Sequence, residues 1–168
     1  MLRVLHAGCG AEPLPAWIGE CDEVRLDIDH RCEPHVVAPI TALGDIGEFD
    51  VVYTSHCLEH LFPHQVAVAL GEFKRVLKAG GKAIIIVPDL EDVRPTEEAL
   101  YLSPAGPICG LDMIYGKASM IAENPFMAHK CGFTRETLAG AIAVVEFGEV
   151  KVERIAGYSL LAVAVKGE

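Results

Sequence analysis

The chain has 168 residues, 51% of them hydrophobic and 23% charged, with a formal net charge of −10. This length accommodates one domain with a substantial core, residues 1–168, and excludes a second full domain, while the apolar balance excludes a disordered chain. With 24 acidic against 14 basic residues, composition does not supply the positive surface that neutralises phosphates, so nucleic acid is not an expected partner.

Residues 2–6 form a short apolar run that stops at Gly8-Cys9-Gly10, the pattern of a buried strand ending in a glycine turn. The run begins at once, without a charged leader, and no apolar stretch approaches the roughly 20 residues that cross a bilayer. A soluble, unsecreted protein without membrane contact is expected. A further element begins near Pro15, and strands are predicted over 24–28, 35–38 and 49–54. Between 63 and 77, Val66, Ala67, Leu70, Phe73, Val76 and Leu77 recur at the spacing of one helical face, and Ala79-Gly80-Gly81 reads as the helix stop. Residues 83–87 are a continuous apolar run, expected for a strand buried on both faces of a parallel sheet. Residues 89–131, with four prolines, read as a long excursion with a short helix or two, and excursions of that length are usually functional. Thr134 is placed to cap a helix through 144. A strand pair over 150–155 and 158–165 follows, turning at Ala156-Gly157. This order describes a doubly wound α/β sheet, in which ligands bind beyond the carboxyl ends of the strands.

Two features at those ends carry chemistry. Gly8-Cys9-Gly10 allows close approach of the backbone to a ligand, and Asp27, ending the second strand, can accept hydrogen bonds from ribose hydroxyls. Together they describe a nucleoside site. A dinucleotide would want a third glycine opening a helix under its pyrophosphate, yet Glu12 and Pro13 occupy that region. Acid beside a pyrophosphate is repulsive, whereas a phosphate-free cofactor bearing a sulfonium tolerates it. The choice falls on S-adenosylmethionine, with S-adenosylhomocysteine as product.

Val4-Leu5-His6-Ala7-Gly8-Cys9-Gly10, Arg25-Leu26-Asp27-Ile28-Asp29 and Phe49-Asp50-Val51-Val52-Tyr53 together resemble the class I S-adenosylmethionine-dependent methyltransferases. Cys57-Leu58-Glu59-His60-Leu61, the stretch from Phe73 to Gly81 and Ile86-Val87-Pro88-Asp89-Leu90 are similar to the corresponding parts of small bacterial domains of that type. The resemblance implies a Rossmann-like, seven-stranded sheet, mostly parallel with a reversed last strand, in a three-layer αβα arrangement. It further implies a cofactor site formed by Ala7, Gly8, Cys9, Gly10, Asp27, Ile28, Ile40, Ser55 and His56. The segment at about 89–131 corresponds to the variable acceptor or lid segment. His6 stands where many relatives carry an acid in the first strand, and Pro39 where an aspartate often follows the third. The implied reaction is methyl transfer to an oxygen or nitrogen nucleophile of a small molecule or a protein side chain, with His56 and His129 as the candidate catalytic residues.

His56-Cys57-Leu58-Glu59-His60 has the H-x-x-E-H spacing that places two histidines on one helical turn around zinc. It follows a strand and coincides with the methyltransferase-like stretch, so no metal is expected there, and its polar side chains are expected to cap and pack a helix start. Six cysteines without a C-x-x-C pair read as free thiols of a reducing compartment, hence the cytoplasm. A cofactor-binding module without turnover, working as a homodimer or with a partner subunit, is the alternative to an active enzyme.

Overall fold

The computed structural model describes residues 1–168. The chain runs β1 (Leu2–Ala7), β2 (Cys21–Asp27), β3 (Val36–Val37), β4 (Phe49–Ser55), α1 (Pro63–Val76) and β5 (Leu77–Pro88). It continues through β6 (Ala99–Ser103), β7 (Gly106–Cys109), α2 (Gly110–Tyr115), α3 (Ala118–Glu123), α4 (Arg135–Val144), β8 (Val150–Ile155) and β9 (Ser159–Val165). Seven strands form one sheet in the order β3-β2-β1-β4-β5-β9-β8, while β6 and β7 pair only with each other. The pairs among β1 to β5 are parallel, and β9 runs antiparallel to both β5 and β8. The sheet is the mostly parallel, Rossmann-like one expected, with its last strand reversed. No helix is long and apolar enough to cross a membrane.

Alternation along each strand sorts the sheet into two unequal faces. Leu5 and Ala7 of β1, Val52 of β4, Ala83, Ile85 and Val87 of β5, and Leu160, Ala162 and Ala164 of β9 join the main core. Helix α1 adds Val66, Ala69, Leu70, Phe73 and Val76, and α4 adds Leu138 and Ile142. Lys74 of α1 ties the two helices by donating to the carbonyls of Val145 and Glu146, at 2.8 and 2.7 Å. Thr134 caps α4 as expected, its hydroxyl accepting from the Thr137 amide at 3.3 Å. The apolar cluster on the opposite face has only Val4, Val51 and Tyr53 buried, under Leu14, Ile18 and Cys21. Between β1 and β2 the chain makes a single turn of 3₁₀ helix, Ala16–Ile18, which Gly19 ends with φ 79°. Ile84 and Ile86 are therefore only partly buried, and β5 is fully covered on one face rather than two.

Several elements differ from those read in the sequence. β2 begins at Cys21 because Leu2↔Cys21, Arg3↔Asp22 and Val4↔Glu23 are in parallel register, so pairing overrides its polar start. Ala79-Gly80-Gly81 is not a helix stop. α1 leads straight into β5, and residues 78–81 bulge between the pairs Phe49↔Leu77 and Val51↔Lys82, held by Gly80 N to Lys166 O (3.0 Å) and Lys166 N to Gly81 O (2.9 Å). The excursion contains the β6–β7 hairpin as well as helices, and Tyr101 of β6 stacks on Tyr158 at 5.6 Å. Tyr158 belongs to the final turn, with φ 55°, rather than to β9.

His6, the polar residue of β1, lies on the thinner face, 3% exposed and edge-on to Tyr53 at 5.3 Å. Its Nδ1–H donates to Glu23 Oε1 at 2.9 Å. Burial lowers its pKa below the ordinary 6.5, and nearby Arg25 acts in the same direction, while Glu23 and Asp27 oppose the shift only in part. The folded state thus holds this imidazole neutral in a range where the unfolded chain is already taking up a proton. As pH falls through about 6.5, stability should decline, and the decline should level off below the folded value. Thermal melts across this range should show the wild type losing stability relative to His6→Gln; parallel curves would assign the burial no cost. In the main core, Phe73→Ala should cost about 3–5 kcal/mol in urea unfolding, as expected for an emptied aromatic site. Val68→Ala, on the exposed side of the same helix, should change stability by less than about 0.5 kcal/mol.

Candidate functional site

β1 is flanked by β2 on one side and β4 on the other, so the connections leaving its carboxyl end and theirs diverge and open a crevice. The glycine turn sits in it. Gly8 and Cys9 donate their amides to the Leu26 carbonyl, at 2.8 and 3.1 Å, which folds the turn back over the end of β2. Gly8 has φ 69°, and a side chain there would also run into the thiol of Cys57. Gly10 has φ 47° and open space where a side chain would stand. Asp27 Oδ2 accepts from the Gly10 amide and Oδ1 from the Asp29 amide, each at 2.8 Å. Its carboxylate therefore sets the conformation of the glycine turn as well as facing the crevice.

A cavity of about 790 Å³ opens at this point, within the size range of small-molecule sites. Of the residues expected to bind a cofactor, Gly8, Cys9, Gly10, Asp27, Ile28, Ile40, Ser55 and His56 line it. Ala7 does not: its side chain points away from the crevice into the main core, fully buried, as alternation with His6 requires. His6 and Pro39, the two departures from the family pattern, are also in the wall. His56 has φ 50° and its amide donates to Ile86 O at 2.8 Å, which turns the chain out of β4 and leaves the imidazole half exposed. His129 lies outside the wall, its Nδ1–H donating to Met113 O at 2.8 Å and its ring edge-on to His60 at 5.0 Å. Burial lowers its pKa, so it is neutral at neutral pH.

The stretch around Glu59 differs from both sequence readings. Leu58–His60 is one turn of 3₁₀ helix preceded by a left-handed His56, so His56 and His60 do not share an α-helical turn. Nor does a polar side chain cap it.

Several contributing residues carried no role in the sequence. Arg25 donates to the carbonyls of Gly10 and Glu12, at 2.8 and 2.9 Å, pinning the glycine turn from below. It shares a strand face with Asp27, the one signal that pointed to it. Asp29 is gripped by Arg31 through Nε (2.9 and 3.0 Å) and Nη2 (2.6 Å), and this holds its pKa down at about 2. Its Oδ2 also accepts from Asn124 Nδ2 at 3.0 Å, joining the excursion to the end of β2. Met120, Asn124, Phe126 and Met127 from the excursion complete one wall of the cavity. Burial pushes the Cys57 thiol up to about 12, so no thiolate nucleophile stands there at neutral pH.

A family model described as a methyltransferase domain matches residues 5–85. No curated protein matches the sequence at a significant level. Among solved structures, human N-acetylserotonin methyltransferase in complex with S-adenosylmethionine is 15% identical with a TM-score of 0.67; the alignment covers 99% of this chain and 48% of that one. This chain thus spans about half the length of the human enzyme. An S-adenosylmethionine-dependent methyltransferase from Mesorhizobium loti is 16% identical with a TM-score of 0.69, covering 98% and 91% of the two chains. The 1,6-didemethyltoxoflavin-N1-methyltransferase of Burkholderia thailandensis, with its substrate and S-adenosylhomocysteine bound, is 18% identical with a TM-score of 0.60, covering 99% and 72%. The sequence match to a methyltransferase domain runs from β1 into β5, a little under half of the chain, and the strand order with its reversed last strand is the fold this chain shares with these solved structures.

Proposed function

We propose that this chain binds S-adenosylmethionine in the cavity above β1, β2 and β4 and transfers its methyl group to an oxygen or nitrogen of a small molecule or protein side chain. The observation that carries this reading is the convergence of the Gly8–Gly10 turn and the Asp27 carboxylate on one cavity at the point where the strand order reverses. The residues fit the cofactor. Asp27 spends one acceptor site of each oxygen on a backbone amide, and a carboxylate has roughly four such sites, so ribose hydroxyls can still be bound. Ile28 and Ile40 offer apolar surface for a purine ring. His6, kept neutral by burial, places no positive charge beside a sulfonium.

When bound, S-adenosylmethionine supplies a methyl carbon already activated by its sulfonium leaving group. The protein's part is then to hold the acceptor in line and dry. Residues 89–131 serve as the acceptor segment, with Met120 and Phe126 facing the cavity and the Asn124–Asp29 bond holding them there. His56, on the wall at the end of β4, takes the proton that an oxygen or nitrogen acceptor loses as its new bond to carbon forms, and passes it to solvent.

Titration calorimetry with S-adenosylhomocysteine tests the site. Asp27→Ala should weaken binding by about ten- to a hundredfold, the equivalent of losing a hydrogen bond to a charged group. Absence of binding to the wild type would refute the reading. In turnover assays against an acceptor pool, His56→Gln should lower kcat by roughly a hundredfold or more while S-adenosylhomocysteine affinity changes far less. Binding without any turnover in the wild type would instead identify a cofactor-binding module.

A further inference from the structure

The turn after β4 buries a carboxyl group that the cofactor site does not explain. Glu59 is 1% exposed, and neither of its carboxylate oxygens has a hydrogen-bond partner. His56 Nδ1 comes within 3.4 Å of Oε1 without the alignment of a hydrogen bond. Carboxylates are not buried bare, because the lost hydration must be replaced by protons, donors or a cation.

Two imidazoles stand where a cation would need them. Ligand atoms of Glu59, His60 and His129, one from each, lie within 4.8 Å of one another. Each histidine has its Nδ1 against a backbone carbonyl, His60 on Ala128 at 3.2 Å and His129 on Met113 at 2.8 Å. Donation of Nδ1–H to those carbonyls fixes the tautomer whose Nε2 lone pair is free, which is how metal-binding histidines are oriented by their outer contacts. The backbone holds the set together. Lys130 and Cys131 donate their amides to the Glu59 carbonyl, at 2.8 and 3.2 Å, and Lys130 Nζ donates to the His60 carbonyl at 2.9 Å.

We infer that Glu59, His60 and His129 form a binding site for a divalent transition-metal ion of the zinc class, at the acceptor end of the cavity. One carboxylate and two imidazoles suit zinc, cobalt or iron(II), whereas calcium and magnesium prefer oxygen ligands throughout. Three protein ligands leave coordination positions open. His56 and His60 both line the cavity, so an open position faces the space an acceptor would fill. A metal there would bind an acceptor oxygen and ease its deprotonation. That consequence rests on the proposed methyl transfer, but the site itself does not. The H-x-x-E-H spacing does not form an α-helical turn here, so His56 and His60 are not its paired donors. The third donor comes instead from His129, at the far end of the excursion, and replaces His56.

Titration of chelator-treated protein with Co²⁺, read by visible d–d absorption, tests the inference without cofactor or acceptor. The wild type should take up one equivalent, displaced by Zn²⁺ and not by Mg²⁺ or Ca²⁺. Glu59→Gln and His129→Ala should each weaken uptake at least tenfold. Because Glu59 holds the fold through its backbone carbonyl, Glu59→Gln should fold, and its metal-free melting temperature should exceed that of the wild type. Zn²⁺ should then raise the melting temperature of the wild type alone. Thiolate-to-cobalt charge-transfer bands, equal metal stabilisation of wild type and Glu59→Gln, or no uptake at all would each overturn the site.

Discussion

Parallel pairing of β1 on both of its edges is the constraint from which the rest follows. Leu5 is matched to Val24 on one side and to Val52 on the other, so β1 cannot shift by one residue without breaking both ladders and turning its apolar side chains to the wrong face. The same pairing fixes where the crevice opens and aims Gly8 at the end of β2. Arg25 and Asp27 then lock that turn from beneath, one through carbonyls and the other through an amide. The site's shape is thus inherited from strand register rather than from the loops alone.

The excursion between β5 and α4 acquires its position from two separate attachments. At one, Asn124 bonds Asp29 beyond β2; at the other, the amides of Lys130 and Cys131 close on the Glu59 carbonyl beyond β4. The attachments lie on opposite sides of the β1 crevice, so the intervening residues must cross it. Tyr101 stacking on Tyr158 adds a third contact, over the β8–β9 turn. A segment with little periodicity is in this way given one course over the sheet.

What could be read from the sequence was whatever depended on local pattern. The helical spacing of Val66, Leu70 and Phe73, the apolar run at 83–87 and the cap at Thr134 each encode their own element. Glycines followed by Asp27 in register encoded where the cavity opens. What could not be read depended on partners distant in sequence. The polar start of β2 is a strand only because β1 lies beside it, and Lys78 to Gly81 form a bulge only because Lys166 closes on them. Ala7 was grouped with its glycine neighbours although strand alternation sends it into the core. Asn124 and His129 gain meaning only where the excursion returns, which no spacing near them reveals.

The placement of β9 between β5 and β8 also bears on how the chain is made. Until residues 159–165 leave the ribosome, β5 presents a long, β-branched strand with one edge unpaired, and β8 has no sheet to join. The parallel half can assemble first, from β1, β2, β4, β5 and α1, but it must wait with an adhesive edge exposed. Synthesis therefore passes through a stage in which this protein is most open to pairing with another chain. The final strand ends that stage by insertion rather than by addition at the rim, so a nascent chain stalled before residue 159 would remain a sticky half-sheet.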